Sequence, residues 1–293
     1  MRDWAAIRTL LLSPVRFTYD LIIRFIEDDG LASAGYLAYI ALMTLLPFIV
    51  FLFTLLGLVG QADYGDSLVR YMFEFMPPEV AFTLEAPVRE VVGKASEGVL
   101  TVSLLVVLWI SGTGIEGVRT ALNRAYRTRE TRSYWRLRGQ STLFVIGFSG
   151  IILVAIVCLI IGPILWHQAQ AFFDIGLDLE INRFLDTIRF GVGNLSMFVF
   201  ALSLFHLLPD HRPRLRDVAP GAMAVCLLVT GATSLFSFYL ERFASYSAIY
   251  GSLGGVISTM IFFYILGAIL ILGAELNAFL MERQQRKKET PQI

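Results

Sequence analysis

The residues in this sequence that could do chemistry are polar side chains embedded in long apolar stretches. Glu275 and Asn277 lie near the far end of an apolar run from Ser245 to Met281, whose aromatic, glycine-rich entry contains Tyr250 and Gly251. About 20 apolar residues match the hydrocarbon thickness of a bilayer. A carboxylate inside such a helix costs about 2.5 kcal/mol or more unless it has a partner or faces a wet cavity. Glu275 is therefore expected to have a partner or to face a wet cavity, and in a transporter either Glu116 or Glu275 would bind a cation or a proton.

A second polar group follows a shorter apolar run, in the sequence SGTGIEGVRTALNRAY at residues 111–126. On a continuous helix Glu116, Arg119 and Asn123 share one face, and Glu116 can pair with Arg119. Three glycines interrupt the run, and a glycine-interrupted segment with polar groups is typical of transporter binding sites. Alternatively, Arg119 and Arg124 anchor the helix at the membrane surface and Glu116 neutralises one of them.

Aromatic residues recur at helical spacing in the first long apolar segment, residues 32–60. Tyr36, Tyr39, Met43 and Pro47 fall along one side of the predicted helix. Because proline lacks a backbone N–H, a kink is expected at Pro47. The tyrosines and the proline either line a pathway or belong to a kinked packing helix.

Arginines dominate the segment that follows Asn123, with Glu130 as the one acid among them. This charge pattern is explained by the excess of Lys and Arg in cytoplasmic loops. Contact with anionic lipid headgroups is a further interpretation, whereas nucleic-acid binding is not expected in a membrane chain. The headgroup candidates are Arg124, Arg127, Arg129, Arg132, Arg136 and Arg138.

The composition indicates an all-α integral membrane protein. Hydrophobic residues make up 56% of the 293 residues and charged residues only 16%, against about 25% charged in soluble domains. The chain is predicted to be a single domain, 1–293, with an amphipathic interfacial helix at 1–29, an extracytoplasmic loop at 61–97 and a tail at 282–293. Six transmembrane helices are predicted, at residues 32–60, 99–126, 140–166, 184–208, 218–240 and 245–281.

Positive charge sets the predicted orientation. The segments 1–29, 119–139, 206–217 and 282–293 hold 18 of the 24 Lys and Arg residues. With six helices these segments share one side of the membrane, so both termini are predicted to be cytoplasmic. Glu116 and Glu275 then lie in the cytoplasmic halves of their helices, where they could flank one cavity.

No residue pattern points to a cofactor, a metal or an enzyme. Cys158 and Cys226 lie inside apolar segments, where cysteine packs as a small hydrophobe, and the three histidines lack metal-ligand spacing. No nucleophile–base pair or phosphate-binding glycine loop is present. We therefore expect a protein without enzymatic activity, cofactor or metal.

Several motifs together resemble one bacterial family. They are the segment Ala34 to Pro47, the stretch G-x-x-x-A-L-N-R-A-Y from Gly117, the stretch S-Y-x-x-I-Y-G-S-L-G-G-V-I from Ser245, and L-G-A-E-L-N from Leu272. In this order they resemble the YihY/BrkB family of inner-membrane proteins. The resemblance implies six helices in the bacterial inner membrane. Members have been linked to serum resistance, to lipid or lipopolysaccharide movement and to solute export, and an old label, ribonuclease BN, finds no support in these residues.

The functional expectation is a multi-pass transporter or exporter. A small solute or ion would move along a cavity lined by the first, second and sixth predicted helices. Two alternatives stay open: an envelope lipid or lipopolysaccharide handling factor, and a membrane scaffold without transport. The expected partners are membrane lipids and the substrate. Two small-residue seams would also suit a homo-oligomer; they consist of Ser33, Ala34, Gly35, Ala38 and Ala41, and of Gly221, Ala222, Ala224, Gly231 and Ala232.

Overall fold

The structure is a computed structural model, and it describes residues 16–58, 100–152, 180–211, 213–242 and 253–289. All regular structure within these ranges is helical, which confirms the all-α prediction for them. The described residues form seven helices: α1 (16–27), α2 (Gly30–Leu58), α3 (Leu100–Ala125), α4 (134–152), α5 (Glu180–Leu207), α6 (Leu215–Arg242) and α7 (Leu253–Glu289).

The helices α2 to α7 correspond in order to the six predicted spans, and α1 to the second half of the predicted interfacial helix. The predicted loop 61–97, residues 1–15 and the site candidates Tyr250 and Gly251 lie outside the described residues. The final helix is longer than predicted, because α7 continues to Glu289 through most of the predicted tail. Those tail residues are mainly Arg, Lys, Gln and Glu, which are good helix formers.

Helix α7 is the packing centre of the described bundle. It lies between α2 on one side and α6 on the other, and it also contacts α3. Small residues permit these close approaches. A Cβ on Gly267 would lie 3.2 Å from the Ala34 carbonyl oxygen, and one on Gly221 would lie 2.2 Å from the Gly273 carbonyl oxygen. Ala34 and Gly221, two members of the small-residue seams predicted from sequence, therefore serve helix packing within one chain.

Helix α3 runs without a break from Leu100 to Ala125, close to the predicted 99–126, so the glycines that interrupt its apolar run do not interrupt the helix. Two of its glycines instead face α2, where Cβ atoms on Gly114 and Gly117 would lie 3.1 Å from Thr44 Oγ1 and 2.7 Å from Ile40 Cδ1. Glycine lowers helix propensity by about 1 kcal/mol relative to alanine. Close packing against α2 offsets that loss and keeps the helix continuous.

The outward faces of the helices carry large apolar side chains. Two described helical segments are long and apolar enough to cross a membrane, Leu215–Tyr239 and Gly254–Gln285, and two shorter ones, Gly30–Leu45 and Gly191–Leu207, are also apolar. Contiguous exposed apolar surface of this kind is uncommon on soluble monomers and is suited to lipid. The exposed residues include Leu143, Leu195, Leu227, Leu235 and Phe238.

Candidate functional site

The described parts of the basic segments predicted to share one side meet at one end of the bundle. Arg24 of α1 binds Glu282 of α7 at 2.7 Å, and Asn123 of α3 accepts a hydrogen bond from the Asp210 backbone N–H at 3.0 Å. The ends of α1, α3, α5 and α7, and the starts of α4 and α6, are therefore close together. We call this region the basic end.

A cavity of about 690 Å³ opens at the basic end, between the start of α2, the second half of α3 and the start of α4. Its lining has side chains of both charges, an amide and aromatic hydroxyls. The residues that matter to its chemistry are Tyr36, Glu116, Arg119, Asn123, Arg124 and Glu130. The predicted α3 face is therefore a cavity wall, whereas Glu275 and Asn277 do not line it.

Glu116 pairs across the α3–α4 hairpin. Its Oε1 accepts a hydrogen bond from Arg138 Nη1 at 2.7 Å. The Arg138 guanidinium also lies over the Trp109 ring, 3.9 Å from its centroid, and donates to the Trp109 carbonyl. The expected pairing of Glu116 with Arg119 is therefore wrong: the partner comes from the facing helix, and Glu116 is already neutralised.

Arg119 is the buried cation of the cavity wall, with only 3% of its surface exposed. It donates to the Leu137 carbonyl at 3.1 Å and to Ser141 Oγ at 2.7 Å, both uncharged acceptors. Its Nε has no hydrogen-bond partner, and within the described part of the chain no carboxylate lies within 4 Å of it. The positive charge of Arg119 is therefore uncompensated at short range.

Glu130 anchors the link between α3 and α4. It accepts hydrogen bonds from Arg132 at 2.7 Å and from Asn123 Nδ2 at 2.9 Å. The bond with Arg132 is the main cause, and the bond with Asn123 a further one, of the pKa of Glu130 falling to about 2. Glu130 in turn raises the pKa of Arg132. Arg132 also donates a hydrogen bond to the Leu208 carbonyl and forms an ion pair with Asp210. We call this network the link clasp.

The six arginines predicted as headgroup contacts divide into two groups. Arg132 and Arg138 are largely buried in the contacts above, while Arg127 pairs with Asp28 at 2.9 Å and Arg124 with Asp29 at 3.6 Å. The remaining two are exposed, and among the described residues neither has an ion-pair partner. They are Arg129 and Arg136.

Aromatic residues lie close in sequence to these two exposed arginines. The rings of Tyr134 and Trp135 are 5.5 Å apart in an edge-on arrangement, and Trp135 is 75% exposed. Exposed tyrosine and tryptophan beside basic residues are typical of the membrane–water interface. We call the four residues Arg129, Tyr134, Trp135 and Arg136 the interface patch.

Asn277 and Glu275 lie on the α7 side of the basic end, and both are fully buried. Asn277 accepts a hydrogen bond from the Gly221 N–H at 2.7 Å and donates to the Tyr126 hydroxyl at 3.3 Å. It thereby joins α7, α6 and the end of α3. Glu275 has no hydrogen-bond partner for either carboxylate oxygen among the described residues.

The remaining candidates lie along α2. Tyr36 lines the cavity and lies 3.4 Å from the position of a Cβ on Gly117, whereas Tyr39 is exposed on the outer surface. Pro47 lies inside α2, which continues to Leu58.

Sequence reasoning missed the roles of Glu130 and Asp28. For Glu130 a signal was present, since it is the one acid in the arginine-rich segment.

The described residues contain no group of three His, Cys, Asp or Glu side chains that could hold a metal ion. The cavity instead offers guanidinium donors and hydroxyl and amide groups. Such a lining recognises a charged ligand through hydrogen bonds and charge.

Comparison with known proteins connects the chain to one family. The model of the virulence factor BrkB family matches residues 21–292. YfkH of Bacillus subtilis, whose name describes it as ribonuclease-like, is 31% identical over 226 residues, covering 77% of this chain and 82% of YfkH. The membrane protein YihY of Salmonella arizonae is 27% identical over 95% of this chain and 93% of its own. A further membrane protein, from Vibrio parahaemolyticus, is 28% identical over 99% of this chain and 90% of its own. No solved structure matches.

Proposed function

The chain belongs to the virulence factor BrkB family of membrane proteins, and from this premise we propose that it is a multi-pass transporter. Its substrate is a small solute, or the polar part of an amphiphile, that carries an anionic group. It has no enzymatic activity and binds no nucleic acid. It lies in the bacterial inner membrane with both termini in the cytoplasm, so that the cavity is filled from the cytoplasmic side and the direction is export.

The observation that carries this proposal is the charge balance of the cavity. Glu116 and Glu130 each have an arginine partner at 2.7 Å, so their charges are compensated. Arg119 faces only uncharged acceptors. A buried cation without a counter-ion is costly, and an anionic ligand in the cavity would supply the missing charge.

The net positive charge of the basic end also attracts anions toward the cavity before they bind. Most of the Lys and Arg residues lie in the segments that meet there. A surface region with a net charge attracts solutes of the opposite charge. A scaffold without transport is a weaker proposal, because it would give no role to the cavity or to the uncompensated Arg119.

The test is anion flux in proteoliposomes. The probes are inorganic phosphate and a panel of small carboxylates, each labelled and loaded inside the vesicles. We expect efflux from wild-type vesicles and a loss of about ten- to a hundredfold in Arg119→Gln, since a charge-assisted hydrogen bond contributes about 1.5–3 kcal/mol. Arg119→Lys should retain part of the flux because the charge is kept.

Arg129→Gln is the matched control, since it removes an exposed arginine of the same segment that has no ion pair in the described part of the chain. Its flux should equal that of wild type. Equal loss in Arg119→Gln and Arg129→Gln would mean that surface charge, and not the cavity, determines flux. No flux of any probe from folded wild-type protein would contradict solute transport.

A second candidate, lipid handling, is favoured by the interface patch. Its exposed basic and aromatic side chains include Tyr134, which also lines the cavity. An anionic headgroup could therefore pass from the membrane surface toward Arg119 while its tails stay in lipid. The test uses the same vesicles with a fluorescent anionic lipid and a membrane-impermeant quencher. Movement of the lipid without flux of free anions would favour this candidate over solute transport.

A further inference from the structure

Glu275 is a buried acid that receives no hydrogen bond from a donor among the described residues. It lies on α7 with 1% of its surface exposed, and neither carboxyl oxygen receives a hydrogen bond from a described residue. Asn277, two residues further on, has both of its polar atoms paired. An ionised carboxylate buried without donors is strongly disfavoured. Glu275 therefore requires a bound proton or a donor to its carboxyl group, whereas the amide of Asn277 is already satisfied.

The charged and polar groups that act on Glu275 come from α1, from the turn after α1 and from the residues that follow α3. Asp28, in the turn between α1 and α2, faces it within hydrogen-bonding reach, and the charges of Arg127 and Arg24 also act on it. The Tyr126 hydroxyl, after α3, is within electrostatic range. The carboxyl of Glu275 thus interacts with a second carboxyl and with the charges of two arginines.

Both cations already have carboxylate partners. Arg127 donates two hydrogen bonds to Asp28 Oδ2, at 3.2 and 2.9 Å. Arg24 donates to Glu282 Oε2 at 2.7 Å. Arg127 therefore pairs with Asp28 and Arg24 with Glu282, and neither arginine is hydrogen-bonded to Glu275.

Two facing carboxyl groups can form a hydrogen bond only if one of them carries a proton. We propose that Glu275 is a proton-binding site whose acid O–H donates to the Asp28 carboxylate. Asp28 is 19% exposed at the basic end, so it also provides the contact through which the proton reaches solvent. The proton remains on Glu275 while Asp28 is paired with Arg127, and it leaves when that pairing changes.

The backbone geometry fixes Asp28 in this position. Asp29 has a φ of 53°, a left-handed conformation that turns the chain sharply between α1 and α2. The next residue must be small, since a Cβ on Gly30 would lie 2.4 Å from the Phe25 ring. The turn therefore holds Asp28 beside α7 through its own conformation.

The same turn leads directly to the cavity. Ser33 and Arg124 line the cavity, and Arg124 pairs with Asp29 at 3.6 Å. An anion that draws Arg124 toward it would act on the turn that carries Asp28, through the Arg124–Asp29 pair. If the proposed transport function holds, on which this step rests, the proton on Glu275 is the coupling ion of the transporter.

Proton binding is tested first, by a measurement that needs no transport. Infrared difference spectra of wild-type protein in lipid nanodiscs, between mildly acidic and alkaline buffer, should show the C=O band of a buried carboxylic acid. The band should be absent in Glu275→Gln and shifted in Asp28→Asn, which changes its acceptor. Glu282→Gln is the matched control, since Glu282 lies on the same helix and is paired with Arg24, and it should leave the band unchanged.

Glu275→Gln is expected to fold, because its amide can donate to Asp28 as the acid does. A wild-type spectrum without the band, or a band that persists in Glu275→Gln, would overturn the proton site whatever the flux results are. Asp28→Asn gives an independent check, since an unshifted band in that variant would overturn the Glu275–Asp28 contact.

Coupling is tested second, with phosphate and carboxylate efflux in vesicles with and without a pH gradient. Wild type should respond to the gradient, whereas Glu275→Gln should keep exchange of anions but lose the response. If the band is present and flux responds equally in both proteins, coupling is overturned. If the band is present and no anion moves in wild type, the proposed transport function fails while the proton site stands.

Discussion

Two asparagines hold the basic end of the bundle together. Within the link clasp Asn123 donates to Glu130 and accepts from the Asp210 N–H, and Asn277 joins α7 to Gly221 and Tyr126. A buried N–H left without an acceptor costs about 1–3 kcal/mol. Both amides therefore stabilise the structure directly. Asn123 also lines the cavity, so its role there depends on the same bonds that hold the link in place.

The first prediction concerns Glu130 and pH. Its pKa is lowered from 4.5 to about 2 in the folded protein. The ionised form therefore stabilises the fold at pH values above about 4.5, and this contribution is lost as the pH falls toward 2. The difference corresponds to an upper limit of roughly 3 kcal/mol in the free energy of unfolding, reduced by solvent screening because a quarter of the side chain is exposed.

The measurement is the thermal unfolding midpoint in detergent, for wild type and Glu130→Gln, across this pH range. Wild type should be more stable above pH 4.5, and the gap should close as the pH falls. Because other carboxylates titrate in both proteins, only the difference between them reports on Glu130. A gap that is independent of pH would show that the charge of Glu130 does not stabilise the fold.

At the scale of elements, the contact between α6 and α7 determines how the bundle packs. The backbones approach closely at Gly221 and Gly273, and a Cβ at position 273 would lie 2.6 Å from Val225 Cγ2. Helix association in lipid depends on close packing and hydrogen bonds, since water supplies little driving force there. The Asn277–Gly221 bond lies at this crossing, so packing and polar contact reinforce each other.

The second prediction compares two glycines of α6. Gly221→Ala should lower the free energy of unfolding by about 1–3 kcal/mol or more, as overpacking of a close contact does, because its Cβ would meet the backbone of α7. A Cβ at position 231 would have no atom within 4 Å. Gly231→Ala should therefore leave the free energy of unfolding unchanged or raise it by up to about 1 kcal/mol, because alanine has the higher helix propensity.

Both variants are compared with wild type by thermal unfolding in the same detergent. Gly231→Ala controls for the general effect of adding a methyl group to this helix. Equal stability of the two variants would contradict the close α6–α7 approach.

For the whole molecule, the gathering of positive charge at one end is the strongest organising feature. Contacts such as Arg24 with Glu282 and Arg132 with Leu208 bring distant parts of the chain to that end. Because Lys and Arg are retained on the cytoplasmic side of bacterial membranes, the cavity and the Glu275–Asp28 pair are expected to face the cytoplasm.

The third prediction is the topology: six spans with both termini inside. Single cysteines replace Arg136 and Gln284, both exposed at the basic end, in a chain whose Cys158 and Cys226 are changed to alanine. An impermeant maleimide should label neither in intact spheroplasts and both in inverted vesicles. A cysteine in the predicted loop 61–97 is the control and should be labelled from outside. Labelling of Arg136→Cys and Gln284→Cys from opposite sides would contradict the predicted number of spans.

The sequence by itself determined the helical class, the order of the apolar segments and the meeting of the basic segments at one end. The length of an apolar segment and its charge bias are properties of contiguous stretches, so both can be read from the sequence without knowing how the helices pack. The α3 face that carries Glu116, Arg119 and Asn123 was predictable for the same reason, since helical periodicity alone places those residues together.

Only the tertiary structure decided which groups are partners. Sequence spacing suggested Arg119 for Glu116, but Arg138 reaches it from the facing helix, and the glycines of α3 pack against α2 without interrupting the helix. The approach of Asp28 to Glu275 joins residues that are far apart in the chain. Such pairings depend on how helices cross and rotate about one another, because a shift of a few ångströms exchanges one partner for another, and no local pattern encodes that geometry.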